Sequence, residues 1–180
     1  MMEITVNMID NNKNTYTFGG VDYVRDTNNP YKLVSTSIIT SIGHFVFNCC
    51  QFLTEVIIPN SVTDIGRCAF ASCPSLTYIV IPNSVTRIGD GAFSSCHSLT
   101  HIDIPDSVTR IGDGAFTGCQ SLTTIVIPAS VTYIGISIFS ICRSLTTIET
   151  NDKDAYIIKY CKLYYPSVEV IVTNTPYVLK

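Results

Sequence analysis

A 23-residue period runs through most of this chain and narrows its fold more than any other feature. Gly43, Gly66, Gly89, Gly112 and Gly135 fall on it, as do Phe47, Phe70, Phe93, Phe116 and Phe139. Leu53, Leu76, Leu99, Leu122 and Leu145 keep the same spacing, and so do Pro59, Pro82, Pro105 and Pro128. Units 76–98 and 99–121 agree at 17 of 23 positions. Self-similarity at such a period is the signature of a solenoid, in which each unit buries its apolar face only against its neighbours. Four full units (53–75, 76–98, 99–121 and 122–144) are preceded by a degenerate one, where Ile39–Gly43 aligns with Val62–Gly66. A truncated unit follows at 145–150.

The residues of one unit dictate its course. In Leu76-Thr77-Tyr78-Ile79-Val80-Ile81 the apolar alternation predicts a short strand, with Ile79 and Ile81 inward and Tyr78 and Val80 outward. Pro82 ends it, since proline has no N–H for a ladder. Asn83 and Ser84 turn the chain, and Val85 and Ile88 return apolar groups inward on a second short extended segment. Gly89 is expected to take a backbone conformation open only to glycine. Asp90-Gly91-Ala92-Phe93 is expected to begin a helical turn that carries Phe93 and Cys96 inward. Burying one Phe is worth roughly 1.5–3 kcal/mol, so the Phe column is a large term in every coil.

Five of the eight cysteines, Cys50, Cys73, Cys96, Cys119 and Cys142, also recur every 23 residues. This predicts a buried column of free thiols behaving as small hydrophobes. Cys49, Cys68 and Cys161 lie off the series, and of the adjacent pair Cys49 and Cys50 only one can face the core. Adjacent coils about 4.8 Å apart fall within the Cα range of a disulfide, so oxidation between neighbours is sterically conceivable. A line of thiols does not suit zinc, which wants four convergent ligands. His97 and His101 are four apart, but the register puts one after the helical turn and the other on the next strand. No metal and no cofactor is expected.

The unit L-T-x-I-x-I-P-x-S-V-T-x-I-G-x-x-A-F-x-x-C-x-S closely resembles that of the BspA-like leucine-rich repeats, also called the Treponema pallidum type, over about residues 36–150. The resemblance implies a curved leucine-rich-repeat solenoid with a short parallel sheet on one face. It also implies a role in binding, often as a surface or secreted adhesion protein.

The repeats leave two ends to be closed. Residues 1–35 read as an N-terminal β cap, with strands at Ile4–Met8, Thr15–Phe18 and Val21–Val24 and polar turns at Asp10–Asn14, Gly19–Gly20 and Asp26–Pro30. Residues 36–150 are the repeats, and 151–180 a C-terminal cap. In that cap Asn151 is the candidate helix N-cap. The helix would run through Ala155, Ile158, Lys162 and Tyr164 and stop before Pro166, and Val168–Val172 would be a last strand.

With 46% apolar and 14% charged residues the chain is too hydrophobic and too weakly charged to be disordered. A net charge of −3 argues against the basic face a nucleic-acid binder needs. No run approaches about 18 uninterrupted apolar residues, so membrane insertion is not expected. Met1–Met8 has neither a positive n-region nor an apolar h-region. The chain as given therefore reads as soluble and intracellular, whereas the resemblance implies a cell surface or secretion.

No nucleophile elbow, phosphate loop or metalloprotease helix is present, and the protein is read as non-enzymatic. Whatever specificity it has must sit at the variable outward positions. On the strand face these are Glu55/Ile57, Tyr78/Val80, His101/Asp103, Thr124/Val126 and Thr147/Glu149. A second stripe is Asp64, Arg87, Arg110 and Tyr133. The reading is a protein-interaction module that meets its partner through Glu55, Tyr78, His101, Asp103 and Thr124, with the His–Asp neighbours suited to titration near neutral pH. The alternative is a structural building block of a larger assembly or virion.

Overall fold

The structure, a computed structural model, describes residues 3–6, 15–18, 21–25, 32–35, 38–151 and 156–173. Four strands come first: β1 (Glu3–Val6), β2 (Thr15–Phe18), β3 (Val21–Arg25) and β4 (Lys32–Ser35). The repeats follow as β5 (Ser41–Ile42), β6 (Leu53–Ile57), β7 (Asp64–Ile65), β8 (Tyr78–Val80), β9 (Arg87–Ile88), β10 (Arg110–Ile111), β11 (Thr124–Ile127), β12 (Tyr133–Ile134) and β13 (Thr147–Thr150). Helix α1 (Tyr156–Tyr164) and β14 (Glu169–Val172) close the described chain.

Each coil has three sides. The L-x-x-I-x-I segment forms the first: β6 pairs in parallel with β8, and β11 with β13 and then β14. Asp103 bridges to Val126 and continues the ladder through the coil between β8 and β11. The two-residue strands form the second, with β5, β7, β9, β10 and β12 side by side and parallel. At the N-terminal end β1 lies antiparallel between β4 and β6, so the antiparallel strands run straight into the first ladder. The proposed turns at Asp10–Asn14, Gly19–Gly20 and Asp26–Pro30, and Ala155, lie outside the described residues.

The third side corrects the expectation of a helical turn. It is a chain of tight turns holding two left-handed residues four positions apart. One column is Phe45, Cys68, Gly91, Gly114 and Ser137, with φ between 51° and 60°. The other is Cys49, Ser72, Ser95, Gly118 and Ile141, with φ between 57° and 74°. Alternate amides on this side donate to the next coil, as Phe47 does to Ala69, Phe70 to Ala92 and Phe93 to Ala115, each at 2.8 Å. A helix would turn these amides along its own axis; the left-handed residues turn them towards the neighbouring coil.

Gly89 is corrected as well. It is not among the positive-φ residues; a Cβ there would lie 2.7 Å from the backbone of Gly66 and Arg67. The recurrent glycine is thus needed for close approach of coils. The left-handed conformation belongs to Gly91, two residues later.

The serine and threonine of the recurring S-V-T tie each coil to the one before. Ser61, Ser84, Ser107 and Ser130 donate to the carbonyls of Ile39, Val62, Val85 and Val108 at 2.6–2.9 Å. Thr63, Thr86, Thr109 and Thr132 donate through both amide and hydroxyl to the carbonyl of the preceding threonine.

Between the three sides lies one continuous core. Phe47, Phe70, Phe93, Phe116 and Phe139 stack with ring centroids 5.2–5.9 Å apart. Each stacked pair is worth about 0.5–1.5 kcal/mol beyond its buried area.

The thiol column is present, and all eight cysteines are free. Cys50, Cys73, Cys96 and Cys119 are buried; Cys142, expected to be buried with them, is only partly covered because it sits in the last full coil. The column does more than fill space. The thiols of Cys73, Cys96, Cys119 and Cys142 donate to the carbonyls of Phe47, Phe70, Phe93 and Phe116 at 3.0–3.1 Å. Burial pushes the Cys50 thiol up to about 12 and that of Cys142 up to about 11. Hydrogen bonding to Cys96, and burial after it, raises Cys73 further. Cys50, Cys73, Cys119 and Cys142 therefore hold their protons, and the last three donate as a row with Cys96.

The residues just after Asn151, where the contacts of the expected helix N-cap would fall, lie outside the described residues. The Asn151 Oδ1 accepts the amide of Ala129 at 2.7 Å, which ties the start of the cap back to the last coil.

Candidate functional site

The first ladder brings the expected strand-face residues into register. Glu55 pairs with Tyr78, Thr124 with Thr147, and Thr147 with Glu169. A second row runs Ile57, Val80, then Asp103, Val126, Glu149 and Ile171. Tyr78 is 46% exposed, enough to offer most of one ring face. Glu55 and Ile57 are exposed, and Thr124 is half-buried.

His101 and Asp103 stand on the same side because they are two apart on an extended segment. His101 Nε2 lies 2.9 Å from Asp103 Oδ1. The contact fixes the imidazole against the face.

Val126 departs from the expected outward set. It is 5% exposed, because Asp103 and Glu149 flank it in the same row. This side carries Glu55, Asp103, Glu149 and Glu169 and no lysine or arginine among these outward positions. It is an acidic face with one exposed tyrosine ring.

The second stripe is paired internally. Arg87 Nε meets Asp64 Oδ1 at 2.9 Å, and the Thr63 hydroxyl donates to the other oxygen of Asp64. The Arg110 guanidinium lies 3.7 Å from the centre of the Tyr133 ring.

The sequence reading passed over a third row, at the position after each recurrent glycine: His44, Arg67, Asp90, Asp113 and Ile136. Its 23-residue spacing was the available signal. His44 Nδ1 accepts the Arg67 amide at 2.8 Å, Asp90 Oδ1 accepts the Asp113 amide at 3.0 Å, and Asp113 Oδ1 accepts the Ile136 amide at 3.0 Å. Between this row and the second stripe runs an open groove of about 280 Å³, lined by His44, Arg67, Asp90, Arg87 and Arg110 over the backbone of Gly66 and Gly89.

His97 is exposed and His101 half-buried against Asp103. Among the described residues no group of three or more His, Cys, Asp or Glu side chains is placed to hold a metal ion.

The coil geometry, with its 23-residue period, proline-ended strands and glycine contacts, has counterparts in known proteins. The BspA type leucine rich repeat region matches residues 32–168 in six copies. The chain belongs to the BspA-type leucine-rich-repeat family. A leucine rich cell surface protein of Faecalibacterium prausnitzii is 28% identical, with a TM-score of 0.65 over 93% of this chain and 44% of its own. A leucine-rich-repeat protein of T. pallidum is 34% identical, with a TM-score of 0.62 over 64% of this chain and 54% of its own. One from Bacteroides ovatus is 32% identical, with a TM-score of 0.59 over 81% of this chain and 39% of its own. The chain thus spans about half, or less, of these BspA-type structures. Among curated proteins none matches it significantly. BspA-type repeats form an extended scaffold of the kind that serves protein interaction rather than catalysis. Among the described residues no helix is long and apolar enough to cross a membrane.

Proposed function

We propose that this BspA-type chain binds a protein partner through its strand face and does so at a cell surface. One observation carries the binding reading: the inward positions of the ladder are nearly invariant from coil to coil, while most of the outward ones differ from one coil to the next. Glu55, Tyr78, His101 and Thr124 fall at one repeat position and are a carboxylate, a phenol, an imidazole and a hydroxyl; only the last step, Thr124 to Thr147, repeats a residue. Packing alone accounts for the inward set, and a recognition surface accounts for the other. The acidic character of the face calls for a partner that offers basic groups, with the Tyr78 ring as an anchor. Display at a surface is supported by the relative from F. prausnitzii, which is a cell surface protein.

The test is comparative capture with the chain and with a variant carrying Tyr78→Ala, His101→Ala and Asp103→Ala. All three side chains reach solvent, so the variant should keep its circular dichroism and melting temperature. A partner of this face should bind the variant at least tenfold more weakly, about 1.4 kcal/mol. A partner that binds both alike would move the site elsewhere. Self-association into large assemblies, seen by light scattering, would favour a structural building block instead.

A further inference from the structure

In the row that follows the recurrent glycines, each side chain serves as acceptor for the backbone amide one coil later: His44 for Arg67, Asp90 for Asp113, Asp113 for Ile136. The row breaks at one step. Arg67 precedes Asp90, and a guanidinium has only donors. The Asp90 amide accordingly has no acceptor among the described residues. This amide belongs to a residue lining the groove of about 280 Å³ that Arg67, Arg87 and Arg110 also line.

The charges around that amide point one way. Arg67 makes no ion pair with any described residue. The Arg110 guanidinium carbon lies over the Tyr133 ring, 3.7 Å from its centre, and makes no ion pair with any described residue, so its N–H groups are not tied to a carboxylate there. Arg87 is held by Asp64 through Nε, which fixes it at the rim. The Asp90 carboxylate also lines the groove, but its Oδ1 is engaged by the Asp113 amide in the next coil. His44 spends Nδ1 on the Arg67 amide, so a neutral ring carries its proton on Nε2 and offers a donor. An unused backbone N–H beside arginines, over a glycine floor, is the arrangement that recognises an oxyanion: fixed dipoles and charge-assisted donors around one concavity.

We propose that this groove binds an oxyanion group, a sulfate, phosphate or carboxylate, whose oxygen takes the place of the acceptor that Arg67 cannot supply to the Asp90 amide. The site lies on a different side of the coil from the strand face and does not depend on it. Arg67 is the residue that creates it twice over, by removing an acceptor and by adding a cation.

The experiment is an amide-resolved NMR titration of the whole chain with sodium sulfate, sodium phosphate and sodium acetate, ionic strength being held constant with chloride. A saturable shift of the Asp90 amide is expected with at least one of the three. Saturation by sulfate and phosphate but not acetate assigns a tetrahedral ion, and saturation by acetate alone assigns a carboxylate. Arg67→Ala should weaken binding at least tenfold. Arg67→Asp should abolish it and shift the Asp90 amide without any ligand, because the row then has its acceptor. Shifts that are linear, equal to those in chloride, or unchanged in Arg67→Ala would overturn the proposal. Arg67 is exposed, so both variants are expected to fold, and superimposable spectra away from the groove check that directly.

Discussion

The backbone amide of Phe139 donates to the hydroxyl of Tyr165 at 3.0 Å. In every earlier coil the equivalent phenylalanine amide donates to a backbone carbonyl of the next coil, Phe116 to Ile138 being the last. Tyr165 therefore stands where a further coil would be. Its ring ends the aromatic stack edge-on, 5.4 Å from Phe139 and tilted by 64°. Two more phenols do similar work: the Tyr156 hydroxyl accepts the Ile134 amide, and Tyr160 donates to the Gly135 carbonyl. Burial pushes both Tyr160 and Tyr165 above the usual phenol range, so they hold their protons. A solenoid must satisfy the open edge of its last coil, and here side-chain oxygens do it.

Replacing Tyr165 by Phe tests this substitution of side chain for backbone. The ring and its contact with Phe139 remain, and only the acceptor goes. Leaving a half-buried amide unpaired should cost about 1–3 kcal/mol. A lower denaturant midpoint and faster hydrogen exchange at the Phe139 amide are expected. Unchanged exchange there would mean that the hydroxyl is not the partner in solution.

The left-handed columns predict a stabilising change. Ile141 is β-branched, has φ of 63° and is 57% exposed. Non-glycine residues pay roughly 1–2 kcal/mol for that conformation, and Ile141 recovers little of it by burial. Gly118 occupies the same place in the preceding coil. Ile141→Gly should raise stability by about 1 kcal/mol, read as a higher melting temperature. A drop would show that the Ile141 side chain is packed against something in solution.

The two classes of glycine should respond oppositely to alanine. Gly89→Ala puts a methyl 2.7 Å from the backbone of the preceding coil, and no side-chain movement can relieve it. The solenoid must open there, and a loss of more than about 3 kcal/mol, or failure to fold, is expected. Gly114→Ala meets only the Thr117 side chain, at 3.1 Å, and pays for φ of 59°. Its cost should be on the order of 1 kcal/mol, since Cys68 and Ser137 already hold that conformation. Equal costs at the two positions would contradict the division.

Much of this was legible in the sequence, and for identifiable reasons. The period fixed the coils, and period-2 alternation fixed which way Ile79 and Tyr78 point. The turn-rich side was misread because Ala92 and Phe93 suit a helix locally, while the deciding contacts are to Ala115, 23 residues beyond Ala92 in sequence. Gly89 was assigned to conformation instead of contact because a sequence does not show how near the next coil passes. Val126 looked outward by alternation, which it is; its burial comes from Asp103 and Glu149 beside it. The row His44, Arg67, Asp90 was overlooked because its residues share no chemistry, and its meaning lies in one position lacking an acceptor.

Arg67→Asp carries a prediction about stability apart from any ligand. It gives the Asp90 amide an acceptor like those of its neighbours and should stabilise the fold by about 0.5–1.5 kcal/mol. Chemical denaturation in chloride buffer measures it. Destabilisation would mean that the Arg67 side chain contributes packing or charge that outweighs a hydrogen bond.

The thiol column sets a pH dependence whose sign follows from the direction of the shifts. Burial raises Cys142 from 9.0 to about 11 and Cys50 from 9.0 to about 12. The folded chain thus keeps protons that the unfolded chain releases. Stability from these groups is complete below about pH 9, where both states are protonated, and drains away as pH rises through the folded values. Cys142→Ala provides the control. It removes the donor to the Phe116 carbonyl and should lower the melting temperature at pH 7–8. It also removes one thiol whose ionisation favours unfolding, so the gap between parent and variant should hold up to about pH 9 and narrow by pH 11. The measurement needs a phosphine reductant, which keeps the thiols free without adding another. In the same samples at neutral pH, Cys49 is exposed and should label quickly, while Cys73, Cys96 and Cys119 should wait for unfolding. A gap that stays constant to pH 11, or fast native labelling of those three, would mean that the column is open to solvent and that its thiols are not the donors they are taken to be.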